Sequence, residues 1–437
     1  MKVHSRLLKG LASNSASPTD TWILSTTMYN GPVFLKWFMY TEKTHVTKSL
    51  IYETNIYKKV TNPLIDHKVC PHFIKAIDGN RDEGLEGLMD ILKNSGINPG
   101  DREIVLKRSL WYQQKSLPLR PSITDIDSLT PAQRTFFKSL QFPNKVRMGY
   151  TATEAIDGRS TITLEAFLLG LLKLDPSDRA GVAKYSSLLV HILFQLAFTA
   201  YAMYLSKMVH NDLHVGNVWV KKQPDAKQTY VVNDDVYSFR TPTFVMLYDF
   251  DRAYVKRLGA NPLIANSPHL CEENSQCNSM VMGLDLLKVH CYMRKMLENT
   301  PFERIVDTSL KMLMKREQDL TEIVEYLNTP RCFLNKKTGH NSNTRMPPHL
   351  YELVDTAPMY INKLSALVMG LKTIPSPGDN VYICSDKMFD SNGVLHPDRR
   401  PLLSYPVVPP QQPILLSNPV LSDESLLTFS KFAMEIE

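Results

Sequence analysis

The chain has 437 residues and a formal net charge of +6. So small and dispersed a basic excess argues against nucleic acid as a specific partner, while the length suits two or three domains, or one two-part enzyme with insertions. The six cysteines (Cys70, Cys271, Cys277, Cys291, Cys332 and Cys384) have no dense paired spacing and no C-x-x-C pair; reduced thiols, no zinc ribbon and an intracellular, cytoplasmic setting are expected.

The opening "MKVHSRLLKGLASNS" has no apolar stretch of signal-peptide length. Between residues 20 and 40, "TWILSTT" and "GPVFLKWFMY" flank Asn30-Gly31, which predicts a hairpin. Residues 47–60 carry Leu50, Ile51, Ile56, Tyr57 and Val60 near helical spacing, and Pro63 is expected to close that helix. "HFIKAIDG" (72–79) and the 144–158 stretch predict further strands, with an insertion at about 80–143.

From residue 162 helices are expected over "ITLEAFLLGLLKL", 183–209, "NSMVMGLDLLKVHCYMRKMLEN" (278–299), a continuous 303–327 helix, and "APMYINKLSALVMGLK", with strands returning only in 217–254. The apolar run 188–205 contains His191 and Gln195 and reads as a buried core helix, not a membrane span. After residue 373, nine of the 28 prolines fall between Pro375 and Pro419. That composition predicts an extended tail, with docking to a proline-recognising partner as a sharper alternative.

The polar loop "HNDLHVGN" (210–217) directly follows the most apolar helix and leads into "VWV". Histidine pairs also suggest metal ligation, but His210 reads better as a structural histidine bonding loop backbone. The looser group His269, Cys271, Cys277, His290 and Cys291 is too irregular to favour zinc. Asp234 and Asp235 are adjacent and read as turn residues.

With a strand-rich first part and a helix-rich second, this loop resembles the protein-kinase-like superfamily. The character of the chain is similar to serine/threonine protein kinases of large DNA viruses. The resemblance implies an α+β fold with two lobes: an antiparallel-sheet N-lobe over 1–155, a mainly helical C-lobe over 156–372, and the proline-rich tail over 373–437. "VFLKWF" is similar to the strand carrying the ATP-anchoring lysine, here Lys36, and Glu53 stands at a suitable separation for its helix partner. In the loop, Asp212 corresponds to the catalytic base or substrate-orienting carboxylate and Asn217 to a metal ligand. "LYDFDRA" is similar to the metal-binding segment and makes Asp249 the principal metal carboxylate. Asp285 in "GLDLLKVHCYM" corresponds to the helix aspartate that receives catalytic-loop backbone hydrogen bonds. ATP and magnesium (or manganese) are the implied cofactors, and a protein hydroxyl the implied acceptor.

The pattern also departs. The phosphate loop is reduced to "GLASNSAS", with Gly10 its only glycine. Asn211 replaces the arginine that would pair with a phosphorylated activation loop, so that switch is not expected. Asp251 replaces the glycine of the metal segment, and no Ala-Pro-Glu follows. His214 replaces a phosphate-touching lysine, and "DLHVGN" is similar to aminoglycoside phosphotransferases. A small-molecule kinase and a pseudokinase scaffold are the alternatives. The long stretch between Asn217 and Asp249 is expected to lengthen a hairpin.

Overall fold

In the computed structural model the chain divides into two units, Met1–Lys58 with Lys75–Ile156, and Lys59–Ile74 with Asp157–Glu437. The structure describes residues 21–28, 31–41, 46–79, 146–154, 160–267, 270–271, 277–281, 283–329, 346–368 and 380–401. The expected insertion and Gly10 lie outside these residues. The protein is mixed α and β, with mainly antiparallel sheets.

The first unit holds a four-stranded antiparallel sheet of β1 (Thr21–Met28), β2 (Gly31–Thr41), β3 (Ala76–Gly79) and β4 (Val146–Glu154), in the order β1-β2-β4-β3. The expected hairpin is present. Its register pairs Met28 with Gly31, so Gly31, expected in the turn, is the first residue of β2, while Asn30 lies outside the described residues. Helix α1 (Val46–Ile56) buries Ser49, Tyr52, Glu53 and Thr54 and packs on β2 and β4. Pro63 does not close it. The chain passes through a π turn, Tyr57–Thr61, and Pro63 lies in the first turn of α2 (Asn62–Asp66), where a missing N–H costs nothing.

In the second unit, β5 (Thr161–Thr163) leads into α3 (Leu164–Leu171), whose first turn is capped by Thr163 accepting from Ala166 N–H at 3.1 Å. Helix α4 (Arg179–Leu205) starts four residues earlier than expected, because Asp178 caps it through Gly181 N–H at 2.9 Å. It ends at Leu205, and Lys207 turns left-handed (φ 53°). Its most apolar window is 89% buried, so the stretch long enough for a membrane is the core of this unit.

Strand β6 (Met208–Val209) follows, then the long hairpin of β7 (Val218–Val232) and β8 (Asp235–Leu247) expected from the extra sequence. Asn233 and Asp234 make its turn, and Asn233 is left-handed (φ 54°). Gln195 of α4 pins β8: its Oε1 accepts from Val245 N–H at 2.8 Å and its Nε2 donates to Thr243 O at 3.2 Å. Replacement of this fully buried side chain by alanine takes the acceptor from Val245 N–H and leaves Thr243 O only the long 3.5 Å bond from the Thr241 hydroxyl. The expected result is a loss of about 1–3 kcal/mol in denaturant unfolding. An unchanged midpoint would exclude this role.

His72 bonds Val245 O and the Tyr230 hydroxyl, and Ile74 and His72 exchange backbone bonds with Leu247. This is why residues 59–74, counted with the first part from sequence, group with the second unit. Burial pushes the His72 imidazole down to about 3, so it is a neutral strut.

Beyond β8 come β9 (Tyr254–Val255), α5 (Pro262–Ala265), α6 (Leu284–Met296), α7 (Glu303–Leu313), α8 (Asp319–Asn328), α9 (Pro348–Glu352) and α10 (Ala357–Val368). Helix α6 starts only after Gly283 (φ 75°), where a Cβ would lie 2.6 Å from Val354. Only glycine fits there. The expected continuous 303–327 helix is two helices. Met314 turns extended to bridge Val354, and Lys315 N–H bonds Leu353 O at 2.8 Å.

The tail reading fails for its first part. β10 (Asn380–Cys384) pairs parallel with the tip of β7 and buries Ile383 and Cys384, with Met388 and Phe389 following. β5 and β10 thus also correct the expectation that strands return only in 217–254. Cys271 and Cys277 form a disulfide, with Cα atoms 4.5 Å apart, overturning the expectation of reduced thiols for this pair. Cys70, Cys291 and Cys384 are buried and lie outside this disulfide.

Candidate active site

Two loops of the second unit are stapled together at both ends. Residues 210–217 run from β6 to β7 and residues 248–253 from β8 to β9. Val209 pairs with Tyr254 at one end, and Val218 with Leu247 at the other. A segment fixed at both ends by sheet registers has little freedom left to lose, which is how a rigid frame positions polar side chains.

Cross-links fill the space between them. His210 Nε2–H donates to Tyr248 O at 3.0 Å, since a carbonyl can only accept. Asn211 Nδ2 donates to Arg252 O at 2.9 Å and Cys277 O at 3.1 Å. The Tyr248 hydroxyl reaches Gly216 O at 3.3 Å. Asn261 Nδ2 holds Asp251 O and Ala253 O, each at 2.8 Å. Phe250 is fully buried against the rings of Phe73 and His210.

Helix α6 provides the floor. Asp285 accepts from His210 N–H at 2.7 Å and Asn211 N–H at 2.9 Å, the backbone bonds expected of it. Burial raises its pKa, against the pull of His210, Lys288 and the two N–H groups. Two non-glycine residues in these loops are left-handed, Asn211 (φ 65°) and Asp249 (φ 67°). Such backbone costs energy and persists where the surroundings over-determine it.

Within this frame Asn217 is buried, and its Nδ2 donates to Asp212 O at 3.0 Å. The Asp212 carboxylate pairs with Arg252, Oδ2 to Nη1 at 3.1 Å. Burial pushes the Asp212 pKa up, but Arg252 first, then His214, Lys288 and His210, more than offset it and hold the carboxyl below the usual range. The charge of Asp212 and, against the lowering effect of burial, those of Asp251 and Asp249 raise the Arg252 pKa and keep it a cation. His214 Nδ1 accepts from Gly216 N–H at 3.0 Å, capping the turn Val215–Asn217. A Cβ at Gly216 would sit 2.9 Å from that ring. Burial lowers the His214 pKa, with Asp212 and Asp249 opposing.

In the first unit, Lys36 pairs across the sheet with Thr151, whose hydroxyl lies 3.4 Å from that of Thr54, the neighbour of Glu53 on α1. Glu53 is 1% exposed. A carboxylate is kept so deep only with hydrogen bonds or a cation.

No protein-family model matches this chain, and a search of curated proteins found no match. Among the described residues, no group of three or more His, Cys, Asp and Glu side chains could hold a metal. Cys271 is bonded to Cys277, and His290 is fully buried against Leu286 O, Ser309 and Tyr360, so neither is left for zinc. Sequence reasoning missed Arg252 and Lys288. The signal for Lys288 was a cation three residues after Asp285 within the apolar run "LLKVHC", and for Arg252 its place directly after "DFD".

Proposed function

We propose that the chain is an ATP-dependent phosphotransferase of the two-lobed, protein-kinase-like class, transferring a phosphoryl group to a serine or threonine hydroxyl of a protein. The observation that carries this reading is the frame around residues 210–217. Asp285 takes two loop N–H groups, His210 bonds the carbonyl before Asp249, and Asn217 bonds the carbonyl of Asp212. Three sequence-distant segments thus converge on the two carboxylates this chemistry requires.

Asp212 is the base that orients and deprotonates the acceptor hydroxyl, and its ionised state suits that role. Asn217 and Asp249 would hold magnesium, as one amide oxygen and one carboxylate, with the phosphates completing the set. The ion, when bound, would neutralise phosphate charge that bare carboxylates would repel. The reading assigns Lys36 to the nucleotide phosphates and Glu53 to fixing that lysine. Asn211 spends its side chain on two backbone carbonyls, which supports the absence of an activation-loop phosphate switch there.

The first test is a thermal-shift titration. ATP with magnesium is expected to raise the unfolding midpoint and ATP without it to raise it far less, since saturation at about 100 times Kd is worth about 2.7 kcal/mol. No shift at millimolar ATP and magnesium would sink the reading. Transfer to dephosphorylated casein, against kanamycin and simple sugars, separates a protein kinase from a small-molecule kinase. ATP binding without transfer to any acceptor would identify a scaffold.

A further inference from the structure

Helix α6 touches the loop at a second point. Lys288 stands three residues after Asp285, on the same helix face, and its Nζ donates to Asn211 O at 2.9 Å. Asp285 Oδ1 takes the N–H of the same residue at 2.9 Å. Both backbone polar groups of Asn211 are therefore held by one pair of opposite charges, and its side chain is held by Arg252 O and Cys277 O. Asn211 is the left-handed residue immediately before Asp212.

We propose that Lys288 is a positioning residue for phosphoryl transfer, the cationic half of a two-point clamp that keeps the Asn211 peptide left-handed and so aims Asp212. The proposal rests on the phosphotransferase reading above, and assigns to that site a residue it does not otherwise use.

The alternative is a lysine that merely fills space, and the electrostatics argue otherwise. Lys288 is 7% exposed, and a buried ammonium persists only where anions or carbonyls compensate it. Asp212 faces it from the loop and Arg252 from the segment after β8, while Asp285 is on its own helix. Burial, opposed by Asp212 and Asp285 and assisted by Arg252, pulls its pKa down to about 8. Above that pH the bond to Asn211 loses its charge assistance. The folded value lies below the ordinary 10.5, so the folded protein releases this proton before the unfolded chain does. Through this group, stability does not fall as pH rises through that window. A drop in turnover there is therefore not unfolding driven by this lysine.

The experiment compares the full chain with Lys288→Met and Lys288→Arg. Two readouts are taken: the pH dependence of kcat and of KM for ATP with dephosphorylated casein, and amide exchange of the 208–216 peptide. Lys288→Met is expected to lower kcat at pH 7 by about tenfold or more, the scale for a displaced catalytic group. KM for ATP should stay within about twofold, the basic limb near pH 8 should disappear, and the His210 and Asn211 amides should exchange faster. Lys288→Arg, whose charge does not titrate, should restore part of kcat and move the basic limb upward. Wild-type kcat, pH profile and exchange in Lys288→Met would overturn the proposal. Should that variant fail to fold, the Lys288→Arg profile decides, a shifted limb supporting the clamp and an unshifted one refuting it. Absence of transfer by the wild-type chain would end the phosphotransferase reading; exchange alone then decides the clamp, acceleration supporting it and no change overturning it.

Discussion

Asp212→Asn is expected to lower phosphoryl transfer by about 10²–10⁴-fold, the range for losing a positioned general base, while the thermal shift with ATP and magnesium survives. Asparagine keeps the volume of aspartate and leaves Asp212 O in place for Asn217, whose bond is to the main chain. What disappears is the anion. Arg252 still feels Asp251 and Asp249, so the guanidinium is not abandoned in a buried site. Asp249→Asn should behave in the opposite order: the metal-dependent shift goes first and transfer goes with it, because binding and chemistry both need the ion held. Full activity in both variants, or an Asp249→Asn protein that still shifts like wild type, would show that these roles are assigned to the wrong carboxylates.

Asp285→Ala is the second large effect, and it is one of stability. His210 and Asn211 are fully buried, and their N–H groups have this carboxylate as acceptor. Removing it strands two donors and takes from Lys288 the anion on its own helix. Breaking a buried charged network from one side costs about 3–5 kcal/mol. Asp285→Asn retains one acceptor oxygen and should fall between. Denaturant unfolding measures both, with Asp234→Ala as control: Asp234 is an exposed turn residue, and such changes stay within about 0.5 kcal/mol. Equal losses at positions 285 and 234 would mean that the loop does not depend on α6.

Much of this was legible in the sequence because its signals are local. The β1–β2 hairpin, the α4 core helix and the lengthened β7–β8 hairpin follow from periodicity and turn residues. The role of Asp285 was legible only through resemblance, since nothing local in "GLDLLKVHCYM" says what its aspartate meets. What was not legible depends on distant partners. The helix break at Met314 needs Val354, and the late start of α6 needs Gly283 pressed against that same valine. β10 looked like tail because its prolines flank it and lie outside the strand itself. Arg252 and Lys288 are ordinary surface-type cations in the sequence; only the fold brings them to Asp212 and Asn211. The Cys271–Cys277 bond escaped because a six-residue separation matches no framework pattern.

The pairing of β10 with β7 also has a temporal side. The β7 tip emerges from the ribosome long before Asn380–Cys384 has been made, and β5 reaches only its base. During synthesis the outer border of the hairpin, with Val231 and Val232 already in place, therefore waits with its peptide groups open to any other strand. Until the late strand docks, the nascent polypeptide carries an adhesive seam, the kind of unpaired border through which incomplete chains associate.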